Sequence, residues 1–216
     1  MDWNNKEEVL EAVKKDGWSL QFAPDKVKND LDIVLEAIKE SGTSLKFVSK
    51  RLKNDKKVIL EAVKQNGYAL KFVDDISKND EEIVREAVKN TGDSLQFASE
   101  ELRDNFKIVM EAIKNDAWAL EYASERLKDD EKIVLEAIKI HGTTLKYASE
   151  RLKDNVNTVI EAIKSNGYTL KYISKRLKND PEVVMEAIKY DKELYKFVGD
   201  KIKKQFPTVE EFLKRN

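Results

Sequence analysis

His141, acidic pairs such as Asp129-Asp130, and ladders of repeated charged and aromatic residues are the groups here whose types and spacing could do chemistry. An imidazole can act as a general base or a metal ligand, but either use needs companions: a nucleophile or a second base, or further donors. His141 is the one histidine, no such motif accompanies it, and there is no cysteine to supply a thiolate. It precedes Gly142 in the last turn of a helical stretch, where an imidazole meets free carbonyls and the negative helix end. The acidic pairs fall where helices begin, so capping is their expected work rather than metal binding. No Gly-rich phosphate loop, His-Glu-x-x-His or calcium-loop spacing occurs. Catalytic residues, metal and cofactor are therefore all expected to be absent, and the chain is expected not to be an enzyme.

Three charged ladders recur every 25 residues. Glu36 and its copies are Glu in nine of nine places, and Lys39 and its copies are Lys in nine of nine. At ~100° per residue these two lie opposite the apolar arc of their helix, about 60° apart, so core packing does not demand them. Each Glu is expected to reach the Lys of a neighbouring unit, for instance Glu61 toward Lys39 or Lys89, with the i, i+3 partner in its own helix as competitor. A stripe read by a partner is the functional alternative. The third ladder is basic: Lys28, Lys53, Lys78, Arg103, Lys128, Lys153, Lys178 and Lys203. Cations there complement a helix C-terminus, or they track phosphates.

Aromatic residues form two sets. Phe22, Phe47, Phe72, Phe97, Tyr122, Tyr147, Tyr172 and Phe197 appear in every unit and are expected in the core. Trp18, Tyr68, Trp118 and Tyr168 appear in alternate units, with Thr43, Asp93 and Thr143 between them. This 50-residue superperiod suggests duplication of a two-unit block. An aromatic just after a glycine can fold back on the preceding helix; as a partner contact it would suit a binding hot spot. Local breaks in the pattern point to function too, because the fold does not require them. Arg85 stands where the other units carry Leu, Ile or Met, Ser77 replaces a Leu with Ile76 shifted by one, and Asp93 lies close in sequence. Leu31, Phe106 and Val156 place apolar groups at a first helical position. The expected partner contacts are Arg85, Asp93, Phe106 and the alternating aromatics.

The elements that position these groups follow from the period. Glu11-Ala12 recurs at steps of 25 as far as Glu186-Ala187, with Glu211 in register. This gives units 5–29, 30–54, 55–79, 80–104, 105–129, 130–154, 155–179 and 180–204, and a half unit, 205–216, in one array over 1–216. From Asp30 onward each unit opens on Asp or Asn, a helix cap, and Pro181 sits at a first helical position. Ile33, Val34, Ala37 and Ile38 follow a helical period. Gly42 and its copies Gly17, Gly67, Gly92, Gly142 and Gly167 suit the left-handed residue that ends a helix. Leu45, Val48 and Leu52 mark a second segment, either one helix or two short pieces, since Ser49 and Pro24 suit a break. Neither segment can bury its apolar face alone, so the units must stack. The predicted fold is all-α: an α-solenoid of eight 25-residue two-helix repeats with a C-terminal half-repeat cap around Phe206, Pro207 and Phe212.

The stretch Ala-Leu-Glu-Tyr-Ala-Ser-Glu-Arg-Leu-Lys-Asp-Asp-Glu-Lys-Ile-Val-Leu-Glu-Ala-Ile-Lys, residues 119–139, resembles the tandem repeat family known as domain of unknown function 4116, which occurs in bacterial, protist and large-virus proteins. The resemblance covers nearly the whole chain and is weakest in 180–216. It implies a helical repeat and carries no activity.

Composition agrees with a thin helical array. Of the 216 residues 41% are apolar and 38% charged, with seven Gly and three Pro. The charged share exceeds the usual ~25%. Net charge is −1, so no global field draws the chain to nucleic acid or an anionic membrane. No apolar run approaches the ~20 residues that span a bilayer, and the first five residues lack the pattern of a signal peptide. A cytoplasmic monomer, in its source cell or a host cell, is expected. The first functional expectation is a scaffold that binds a protein along an extended face, including a microbial, phage or viral inhibitor or effector. The Lys- and Asn-rich usage suits an AT-rich genome. RNA binding through the basic ladder is the alternative.

Overall fold

The computed structural model describes residues 2–215. Among them every regular element is helical and none is a strand. They form two compact units, one ending at Tyr122 and the other beginning at Ala123. Both are built from regularly repeating helix and 3-10 pieces.

Residues 30–54 show how the sequence builds each piece. Asp30 has extended backbone, and its Oδ1 accepts from the amides of Asp32 (3.0 Å) and Ile33 (3.3 Å). Those amides have no partner inside the helix, and removing such a cap costs ~1 kcal/mol. The long helix runs Leu31–Glu40. A 3-10 helix, Gly42–Phe47, follows, and then a short helix, Lys50–Lys53. The second segment is therefore two pieces. The break falls at Val48 and Ser49, both with ψ near 150°, and Ser49 Oγ accepts from the Leu52 amide. In the first segment Pro24 takes the Ser49 place. At 3.0 residues per turn, the 3-10 form aligns residues three apart. Leu45 and Val48 thus face inward together, and with Ile33, Val34, Ala37, Ile38 and Leu52 they are at most 4% exposed. Each large aliphatic buried this way contributes ~1.5–3 kcal/mol.

Within each compact unit, successive long helices pack side by side and successive 3-10 helices do the same. The glycines make this possible, although not as left-handed residues: no described residue has positive φ. They open the 3-10 helices instead, where the next segment's long helix passes too close for a side chain. A Cβ on Gly92 would lie 2.5 Å from the Ala112 carbonyl oxygen, and one on Gly42 would overlap that of Ala62. A polar clamp reinforces the approach. Asn115 Oδ1 accepts from the Gly92 amide (2.6 Å) while its Nδ2 donates to the Lys89 carbonyl (2.9 Å). Gln65 and Asn90 clamp Gly42 and Gly67 in the same way.

At the far end Phe206 and Phe212 are buried edge to face, 5.6 Å apart. The Tyr195 hydroxyl donates to the Phe206 carbonyl. Phe212 also packs on Tyr195 at 6.0 Å, while Pro207 stays exposed.

Candidate interaction surface

The every-unit aromatics are not in the core. Phe22 is 73% exposed, and Phe47, Phe72, Phe97, Tyr122, Tyr147, Tyr172 and Phe197 are half-buried. The reason is angular. In a 3-10 helix Phe47 is turned ~120° away from Leu45 and Val48, so filling the core with those two swings the ring to the rim. Because the 3-10 helices stack, the rings form a row in each compact unit. Lysines lie against several of them: Lys46 Nζ is 5.6 Å from the Phe47 centroid, Lys171 5.6 Å from Tyr172 and Lys196 5.3 Å from Phe197. Lys71 reaches forward to Phe97, 6.0 Å away.

Trp18 and Tyr68 join this row by reaching forward rather than folding back. Trp18, 43% exposed, sits edge to face on Phe47 at 5.4 Å, and its Nε1 donates to Ser41 Oγ and Thr43 Oγ1, both at 3.2 Å. Tyr68 sits similarly on Phe97 at 6.2 Å, and Tyr168 on Tyr190 at 6.3 Å, with its hydroxyl 3.4 Å from Asp191 Oδ2. Trp118 is half-buried, its amide bonded to Asp116 Oδ1 at 2.9 Å. Trp18 thus meets Thr43 and Tyr68 lies beside Asp93, so within the first compact unit these two aromatics each meet the small or acidic residue that alternates with them.

That observation bears on ancestry. Residues 5–53, 32–78, 55–103, 105–153 and 155–203 match the family described as Domain of unknown function (DUF4116). The chain belongs to this family. Four of the DUF4116 matches begin at 5, 55, 105 and 155, so each spans two 25-residue segments and their 50-residue spacing is that of the aromatic superperiod. No curated protein and no solved structure matches the chain.

Asp93 belongs to the row and Arg85 does not. Asp93 is half-buried near Tyr68, Asp116 and Glu121. Burial first, and then repulsion from Asp116 and Glu121, holds its carboxyl above the ordinary range. An acid raised by folding is a net cost to stability once pH exceeds its unfolded value near 4, and the cost is complete above the folded value. Asp93→Asn should therefore raise Tm at pH 7, and the gain should shrink as the pH approaches 4. A gain independent of pH, measured by thermal melts at both values, would remove the electrostatic explanation.

Arg85 lies on the long helix Glu81–Asn90, where it pairs with Glu81 and, through Nε at 3.5 Å, with Glu111 of the next segment. Its place is half-buried in every segment, which is why Arg can stand where Leu is usual. Phe106 is half-buried at the start of another long helix. The candidate contacts thus divide between the long helices and the aromatic row. His141 caps the end of its long helix, and its Nδ1 is 2.9 Å from Thr143 Oγ1.

The charged ladders are partly occupied at home, four of the nine Glu–Lys pairs closing within one helix. Lys39 pairs with Glu36 at 2.5 Å, and Lys89–Glu86, Lys164–Glu161 and Lys189–Glu186 pair at 2.9–3.0 Å, all within one helix. The expected Glu–Lys bridges between units are not among the ion pairs of the described residues. Glu61 acts on Lys39, and Lys14 on Glu36, only through space. The i, i+3 partner wins because one helix holds both groups in register at no further ordering cost. In the basic ladder, Lys53, Lys178 and Lys203 donate to the carbonyls of Lys46, Lys171 and Lys196 at 2.7–2.8 Å. Lys78, Lys128 and Lys153 pair with Asp75, Glu125 and Glu150. Lys28 lends its carbonyl to Ser49, and Arg103 is half-buried. Burial lowers the proton affinity of Lys53 and, with repulsion from Lys175, that of Lys178.

Among the described residues no acidic, histidine or cysteine cluster is arranged to hold a metal, and no helix is long and apolar enough to cross a membrane. The rim placement of the ring row with its lysines, and Asp116 and Glu121 beside Asp93, were not expected from the sequence. The signal for the row was present: Leu45 and Val48, three apart, share one face in either kind of helix, and Phe47 lies off that face in both.

Proposed function

We propose that this chain is an α-solenoid of eight 25-residue repeats closed by the half repeat 205–216, a non-enzymatic monomer that binds a protein along its aromatic row. The observation that carries this reading is the ring at the same place in each segment, exposed at Phe22 and half-buried at the rim in the others. Extended repeat faces are used this way, and aromatic residues dominate binding hot spots. A cytoplasmic inhibitor or effector is the version that suits such a scaffold best. RNA binding through the basic ladder is the weaker reading, because six of its eight cations already hold carbonyls or carboxylates, and phosphate contacts would have to replace these bonds.

The test compares three variants of the full chain, each checked for native circular dichroism, in crosslinking to proteins of the source cell. Phe22→Ser with Phe47→Ser and Phe72→Ser should abolish the specific crosslink. Lys53→Gln with Lys78→Gln and Arg85→Leu alone should leave it intact. Retention by the triple ring variant sinks the proposal, as does a salt-sensitive shift of labelled single-stranded RNA lost with the lysines.

A further inference from the structure

One junction in the first compact unit lacks the bonds that tie its neighbours. Between 5–29 and 30–54, the Ser49 amide donates to the Lys28 carbonyl (3.0 Å), Ser49 Oγ donates to Asn29 Oδ1 (2.7 Å), and Arg51 Nε donates to the same oxygen (2.9 Å). Between 55–79 and 80–104, the Ser99 amide donates to the Lys78 carbonyl (3.0 Å), its hydroxyl bonds Asn79, and Asn79 Nδ2 donates to Glu101 (3.1 Å). The second compact unit repeats the clamp at Asp129 and Asp154.

Between 30–54 and 55–79 none of this forms among the described residues. Asp74 stands in the serine place and accepts from Ser77 within its own turn. Its carboxylate brings no hydroxyl to donate to Asn54. Ile76 stands in the Arg51 place and is 83% exposed. A second tie is missing on the long-helix side. Lys6 bridges to Asp30 (3.0 Å) and Lys56 to Asp80 (2.7 Å), but the residue in that register at this junction is Leu31, which cannot pair with Asp55. What remains is the apolar packing and the Gly42–Gln65 clamp at the 3-10 helices.

We propose that this junction is a hinge: residues 5–54 and 55–104 open relative to each other about the packed 3-10 helices, with the short helices Lys50–Lys53 and Asp75–Lys78 parting. Elements that move are those with few tying bonds, and hinges are a few positions that absorb the change while the flanking blocks stay rigid. Each short helix stays tied to its own side, Lys50–Lys53 through Ser49 and Asp75–Lys78 through Ser99, so the parting separates two intact blocks.

The chain has no cysteine, so paired spin labels can be placed on exposed sites outside the clamps. One full-length variant carries Lys50→Cys and Asp75→Cys across the junction. The control carries Asp75→Cys and Glu100→Cys across the next one. The distance distribution across 50 and 75 should be broader, on the order of twofold or more in width. Adding Asp74→Ser with Ile76→Arg rebuilds the clamp on Asn54 and should narrow it to the control width. Equal widths in the two label pairs overturn the hinge whatever the rebuilt variant does. A broad distribution that the rebuilt clamp leaves unchanged, in a variant of native helicity, overturns the assigned cause.

Discussion

Gly92→Val is expected to lower Tm by roughly 10 °C or more. The new Cβ meets the Ala112 carbonyl oxygen at 2.5 Å and the Asp116 Cβ and amide at 2.9 Å, all parts of a packed neighbour. Relief requires the long helix Phe106–Asn115 to withdraw. That withdrawal breaks both bonds of the Asn115 clamp. Overpacking costs ~1–3 kcal/mol and each lost bond ~1 kcal/mol, and for a chain of this size each kcal/mol moves Tm by ~2–4 °C. The physical cause can be separated from the usual one for glycine. A left-handed position tolerates Asn better than Ala, because Asn visits that region more readily. At Gly92 Asn should be no better than Ala, since any Cβ collides. Thermal melts of the three variants decide it, and rescue by Asn would show that backbone conformation rather than space is at issue.

The second large effect concerns deletions. Removing all of 55–79 should leave a folded, shorter protein with the same helicity per residue. The cross-segment contacts run at fixed offsets, so the next segment supplies the same partners. Gly42 would meet the Ala87 carbonyl and the Asn90 side chain, which already serve Gly67. Ser99 would find Lys53 and Asn54 in place of Lys78 and Asn79. Removing only 55–66 takes away the long helix Lys56–Gln65 and keeps its 3-10 partner. Val58, Ile59 and Val63 are essentially fully buried, and losing each forfeits ~1.5–3 kcal/mol while uncovering the residues they touch. Arrays are stabilised by unit and nearest-neighbour terms, so one mismatched piece damages both sides. The shorter deletion should melt far lower and lose more helix than the residues removed. Matching circular dichroism and melting curves for the two would show that 25 residues is not the structural unit.

The sequence alone determined the period, the helix starts and the inward faces. These depend on local chemistry: Asp30 or Asn105 needs only its own following amides to act as a cap, and Ile33, Val34, Ala37 and Ile38 mark one side of a helix whatever lies beyond. Family membership was legible in the stretch 119–139, which resembles the repeat of the family that the chain matches. Tertiary structure decided everything set by the distance to the next segment. Gly42 has the composition of a helix-ending turn, and only the neighbouring Ala62 carbonyl shows that space is its purpose. Glu36 could pair along its helix or across to Lys14, and the helix won because it holds Lys39 in register. Phe47 was expected in the core because an aromatic stands there in every unit. The structure puts it at the rim, because Leu45 and Val48, three apart in the 3-10 turn, fill the inner face and leave the ring ~120° from both.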